Sequence, residues 1–160
     1  MIACILILSA CNPFAPSKDN NLVGDTFLAD QTNPEGVFEN WSLAYNYRDT
    51  LIYARVLSDD FTFYYRNFDL GIDQSWDRET DIRKTHGLFE TSQYIDLVWN
   101  EYLLSEGDSL NWNASRQFYL QITFSDNDIV TLSGRANVKL VRKNELENWK
   151  ILEWSDETNF

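Results

Sequence analysis

Between residues 33 and 49 the apolar positions Val37, Phe38, Trp41, Ala44 and Tyr45 recur at helical spacing, which puts them on one face of "NPEGVFENWSLAYNYRD". Asn33 is a good N-cap, Pro34 suits the first turn, and Glu35 complements the helix dipole there. A second, short helix is expected in "TLIYARVL", stopped by Ser58, Asp59 and Asp60. The stretch "FTFYY", residues 61–65, is aromatic and reads as a strand. After a loop containing Gly71, "SWDRETDIRKTHGLF" predicts a third helix, capped by Ser75 or Asp77 and ended by Gly87. From Gln93 onward the period switches to two, predicting strands at 93–104, 114–124, 129–143 and 148–156. The turns "SDND" and "NELE" are short enough for hairpins, so the last three strands form an antiparallel meander. The expected class is α+β, with helices segregated onto an antiparallel sheet.

Alternation also assigns the strand faces. Phe118, Leu120, Ile122 and Phe124 share one side of their strand, and Leu132, Gly134, Ala136, Val138 and Leu140 share one side of the next. These sides are expected to face the helices, and neither carries an ionisable group. The predicted interior is therefore apolar and free of charge. Trp41, Tyr45, Tyr53, Phe63, Trp76, Phe89, Trp99 and Phe118 are the expected lining of a pocket, in a chain with 6 Trp, 8 Tyr and 10 Phe.

Polar candidates are few. Asp96 shares a strand face with Tyr94 and Val98, opposite the core candidates Ile95, Leu97 and Trp99, so it is expected to point outward. His86 is the single histidine, near the end of the third helix, where a surface imidazole gains from the dipole. Both are retained as candidate bases for acid–base chemistry beside a tyrosine. Asp69, Asp73, Asp77 and Asp81 lack the ligand density and the placed glycine of a calcium loop and read as solvated acids. No metal site and no cofactor are expected, since no second histidine or thiol joins His86.

The start of the chain carries a different message. Ile2 to Ala10 is an uncharged apolar run, too short to span a bilayer as a helix. It closes with Leu8-Ser9-Ala10-Cys11, which resembles the bacterial lipobox, although no Lys or Arg follows Met1. That resemblance implies a signal peptide over residues 1–10, lipidation of Cys11, a tether over 11–31 and a folded domain over 32–160. It also implies export and attachment to a bacterial cell envelope by acyl chains. The tether, rich in Pro, Asn and Ser, could reach roughly 60–70 Å if fully extended. Cys4 lies in the removed segment, so the mature domain must fold without a disulfide. A net charge of −12 and a pI near 4.3 repel phosphate backbones and argue against a nucleic-acid partner.

The element order, with "LSDDFTFYY", "WDRETDIRKTHGLF" and "GRANVKLVRKNELENWKILEWSDE", resembles the nuclear transport factor 2-like superfamily, which also contains ketosteroid isomerases and polyketide cyclases. The resemblance spans about residues 33–156. It implies a strongly curved sheet wrapping helices into a cone with a pocket, and in many relatives a dimer through the outer sheet face. The expected function is a non-catalytic, membrane-anchored lipoprotein whose pocket takes a small apolar ligand or a protein partner. An isomerase or cyclase using Asp96 or His86, and a structural homodimer, are the alternatives.

Overall fold

The computed structural model describes residues 28–67 and 71–159. The lipobox-like stretch, Cys4, Cys11 and Asp69 lie outside them. Three helices and six strands follow in the order α1 (Pro34–Tyr47), α2 (Thr50–Val56), β1 (Leu57–Asn67), β2 (Ile72–Asp77), α3 (Arg78–Thr91), β3 (Tyr94–Gly107), β4 (Asn111–Ser125), β5 (Asp128–Val141) and β6 (Lys150–Asn159).

The first helix begins where its caps dictate. The Asn33 side chain accepts the Glu35 N–H at 2.7 Å, and Pro34 opens the first turn. It ends at Arg48, whose φ of 55° places a non-glycine residue in the left-handed region while its N–H closes on the carbonyls of Ala44 and Tyr45. Asp49 then caps α2 through the N–H groups of Leu51 and Ile52. Asp77 caps α3, which runs past Gly87 to Thr91. Gly87 has open space around it and helical backbone on both sides, so it does not terminate the helix.

One mixed sheet carries the strands in the order β2-β1-β6-β5-β4-β3. The expected meander of the last three strands is present as β4, β5 and β6, and β3 extends it by a further antiparallel pair with β4. Two features go beyond the sequence reading. Ser58–Asp60 do not interrupt the chain but already belong to β1, which pairs in parallel with β6, Phe63 opposite Trp154. The stretch 72–77, expected as loop and helix start, is an edge strand antiparallel to β1. Register shifts in β3 near Trp99 and Tyr102, and between Lys139 and Leu140 in β5, bend the sheet around the helices.

The core lies between the concave face and the helices. Ile95 and Leu97, Phe118 and Ile122, and Ala136, Val138 and Leu140 all point into it, as alternation predicts. Val37, Phe38, Trp41 and Ala44 cover them from α1. Residues 29–32 form a strap ahead of α1, so packing begins before residue 32. Asn40 holds the strap by accepting the Ala29 N–H at 2.7 Å and donating to the Ala29 carbonyl and Gln31 Oε1. Gln31 in turn exchanges hydrogen bonds with the backbone of Trp149. The strap crosses so close to α1 that a Cβ on Gly36 would sit 2.0 Å from the Asp30 carbonyl oxygen.

Candidate functional site

The eight aromatic residues expected to line a pocket come together, and they do so in two groups. Trp41 of α1 lies 4.9 Å from Trp99 of β3 and 4.8 Å from Trp154 of β6, measured between ring centroids, and Trp99 reaches Phe118 at 6.0 Å. Tyr45, Tyr53 and Phe89 make a second group at 5.2–6.4 Å, all edge-on. Phe63 of β1 links the edge strand β2 to the indole group through Trp154 of β6. It stacks on its cross-strand partner Trp76 at 4.5 Å and meets Trp154 at 4.6 Å. The burial of Trp41, Tyr45, Tyr53, Phe63, Phe89 and Phe118 is nearly complete, and Trp76 and Trp99 are partly exposed.

This aromatic interior does contain an ionisable group. Asp81, expected as a solvated acid, is only 3% exposed. It sits one turn into α3 and on the helix face that also carries Thr85 and Phe89, so helical periodicity points it inward. Its Oδ2 accepts the Tyr53 hydroxyl at 2.5 Å and its Oδ1 accepts the Trp76 Nε1–H at 2.7 Å. Burial pushes the carboxyl above its ordinary range; the two hydrogen bonds and the nearby Lys84 ammonium pull the other way. Lys84 itself lies over the Trp76 ring at 4.8 Å. Burial also drives the Tyr45 and Tyr53 phenols upward, and the negative field of Asp81 adds to it, so both stay protonated donors. Thr85, buried beside them, partly offsets the rise in each phenol.

The indole group holds the opposite kind of polarity. The Nε1–H groups of Trp41, Trp99 and Trp154 are buried and meet no hydrogen-bond partner among the described residues. Trp41 Nε1 comes near the Tyr45 hydroxyl without closing a hydrogen bond to it. A buried donor left unpaired costs about 1–3 kcal/mol, so three on touching rings are a standing demand for an acceptor.

The polar candidates read from the sequence lie elsewhere. Asp96 is on β3 opposite Gln121, on the face shared by the exposed Tyr94 and Val98. His86 is exposed; Nδ1 lies 3.2 Å from the Thr50 hydroxyl and Nε2 lies 3.4 Å from Glu90. Asp73 pairs with Arg66 at 2.8 Å, and Asp77 is spent as the α3 cap, so those two acids are exposed. Among the described residues, no group of three or more His, Cys, Asp and Glu is placed to hold a metal ion.

At the far end of the interior a second polar knot pins α1 to the sheet. Arg116 of β4 donates to Glu35 at 2.8 Å and lies over the rings of Tyr102 and Phe38. Tyr102 donates to the other Glu35 oxygen at 2.6 Å.

Three helices against a six-stranded, strongly bent mixed sheet, with an aromatic interior, have close structural counterparts. A conserved protein from Planctomyces limnophilus superposes with a TM-score of 0.69 at 12% identity, covering 79% of this chain and 93% of that one. The fold is nuclear transport factor 2-like. A protein from Novosphingobium aromaticivorans named as a candidate scytalone dehydratase superposes on this nuclear transport factor 2-like domain with a TM-score of 0.67 at 11% identity, covering 79% of this chain and 82% of that one. A hexachlorocyclohexane dehydrochlorinase, LinA type 2, gives a TM-score of 0.60 at 10% identity, covering 78% and 81%. No protein-family model and no curated protein sequence matches the chain.

Proposed function

We propose that this nuclear transport factor 2-like domain binds a small, flat, largely apolar molecule that carries a hydrogen-bond acceptor, and that a lipid on Cys11 holds it at a bacterial cell envelope. The observation that carries the binding reading is the trio of unpaired indole N–H groups on the touching rings of Trp41, Trp99 and Trp154. Rings favour a flat ligand by stacking and edge contacts, and the free donors favour one with a carbonyl, ether or similar oxygen. Two of the structural counterparts are named for enzymes that act on small molecules. Native mass spectrometry of the purified domain is the test. A bound small molecule that is lost when Trp41 and Trp154 are both changed to Phe supports the reading. A ligand-free domain that also takes up no aromatic ketone or ether from a screen overturns it.

A second reading, catalysis by acid–base chemistry, is favoured by the hydrogen bond between the buried Asp81 carboxyl and the Tyr53 phenol. It takes Asp81 and Tyr53 as the reacting pair in place of Asp96 and His86. For a reaction, Asp81 must give up Tyr53 or Trp76 in exchange for the substrate. Comparing the molecules that co-purify with the wild type and with Asp81→Asn separates the two readings. Catalysis requires a different, unconverted compound in the variant; a pure binding domain retains the same compound in both.

A further inference from the structure

Away from the aromatic interior, an open groove of about 710 Å³ runs along the outside of the helical layer, between the α1–α2 turn and α3. That volume lies in the range of ordinary small-molecule sites. Its walls combine two kinds of surface. Tyr47 and Leu51 are each 75% exposed, and with Ile82 across the gap they leave an apolar strip in water. Arg48 and Arg83 flank that strip with guanidinium groups.

The two cations are held differently. Arg48 sits in the left-handed backbone region that ends α1, a conformation uncommon for a residue with a Cβ, and its Nη1 donates to the Ser92 carbonyl at 2.5 Å. That bond fixes the guanidinium between α1 and the end of α3. Arg83 donates one long hydrogen bond to Thr80 Oγ1 at 3.3 Å, and its charge also reaches the exposed Asp77 carboxylate at the start of α3. Two acids share these walls. Asp49 spends a carboxylate oxygen on the N–H groups of Leu51 and Ile52, and Glu79 lies in the first turn of α3, where the helix dipole favours it. His86 closes the groove, braced between the Thr50 hydroxyl and Glu90. On a chain of net charge −12, this groove sets two guanidinium groups beside the two carboxylates of Asp49 and Glu79.

We propose that this groove is a second, surface binding site for an amphipathic anion: a carboxylate head on Arg83 and Arg48, and a short alkyl or aryl body along Leu51, Tyr47 and Ile82. A carboxylate is favoured over a neutral polar head because guanidinium–carboxylate hydrogen bonds are charge-assisted and bidentate. The proposal is independent of the interior ligand, since the groove lies on the solvent side of the helices.

Titration of the labelled domain with octanoate, followed by amide resonances, tests it, with octanol as the neutral control. Expected are saturable shifts at Arg48, Thr50, Leu51 and Arg83, an affinity for octanoate about tenfold above that for octanol, and a loss of about tenfold in Arg83→Glu at an unchanged melting temperature. Should Arg83→Glu fold poorly, Arg83→Gln must still weaken octanoate without weakening octanol. Equal binding of octanoate and octanol, unchanged affinity in both variants, or shifts confined to interior residues such as Trp41 and Phe63 would each overturn the proposal.

Discussion

Changing Tyr53 to Phe removes one oxygen from the core and keeps the ring that packs against Tyr45 and Phe89. What is lost is the 2.5 Å hydrogen bond to Asp81 Oδ2, leaving that buried oxygen without its donor. A hydrogen bond to a charged group contributes about 1.5–3 kcal/mol, and the orphaned acceptor sits where water does not replace the donor. For a domain of this size that corresponds to a fall of roughly 5–15 °C in Tm. The cost must also depend on pH, with a sign fixed by Asp81. Burial raises the folded-state pKa of this carboxyl above its unfolded value, so the wild type loses stability as pH rises from the ordinary carboxylate range toward that folded value. The Tyr53 hydrogen bond opposes the rise, so its removal lifts the folded pKa further. Below the wild-type folded pKa the two stability curves run parallel; above it they diverge, and Tyr53→Phe is most costly at neutral pH and beyond. Urea denaturation across a pH series measures this directly. A cost below about 0.5 kcal/mol, or one that is constant from acid to neutral pH, would refute the reasoning, because a bond to an ionising buried carboxyl cannot give either result.

Asp81→Asn removes the ionisable group and keeps an acceptor for Trp76, so the variant should lose the acid-to-neutral slope of stability that burial imposes, measured by the same denaturation series. Gly36→Ala should destabilise, although alanine is normally about 1 kcal/mol better inside a helix, because the new Cβ lands 2.0 Å from the Asp30 carbonyl. Thermal melts should show the fall, and limited proteolysis should show faster cleavage within residues 28–32; a rise in Tm would refute the close packing of the strap. Arg116→Met should cost about 1–3 kcal/mol in chemical denaturation, since it leaves Glu35 and the Tyr102 hydroxyl without their cationic partner at the α1 N-terminus. Stability within about 0.5 kcal/mol of wild type would show that the knot does not hold α1 to the sheet.

The sequence makes some of these features easy to read and hides others for physical reasons. The α1 boundary was legible because Asn33 and Pro34 are local signals and the apolar stripe behind them is unbroken. The inward faces of β3, β4 and β5 were legible because alternation survives wherever one side of a strand is buried. Strand β2 was not: "IDQSWD" is polar, lies at the sheet edge and buries little, so nothing local separates it from a loop. The parallel pairing of β1 with β6 joins residues about ninety positions apart and leaves no local trace. Asp81 is the most instructive case. Its neighbours in sequence, Glu79 and the Asp77 cap, make it look like one more acid at a helix start. Its burial is decided by Tyr53 from α2 and Trp76 from β2, which only the fold brings together. One signal was present: Asp81, Thr85 and Phe89 recur every fourth residue, and Phe89 is plainly a core residue.

The claim on which the functional account depends is that Trp41, Trp99 and Trp154 hold their indole donors unpaired until a ligand arrives. Indole N–H resonances of the purified, ligand-free domain test it most directly, assigned by single Trp→Phe variants. The account predicts that these three resonate upfield, as unbonded indoles do, while Trp76, bonded to Asp81, resonates downfield, and that an acceptor-bearing aromatic ligand moves the three downfield together. If all three already sit at hydrogen-bonded positions in the empty domain, or stay in place when a ligand binds, the interior is a packed core and not a binding site.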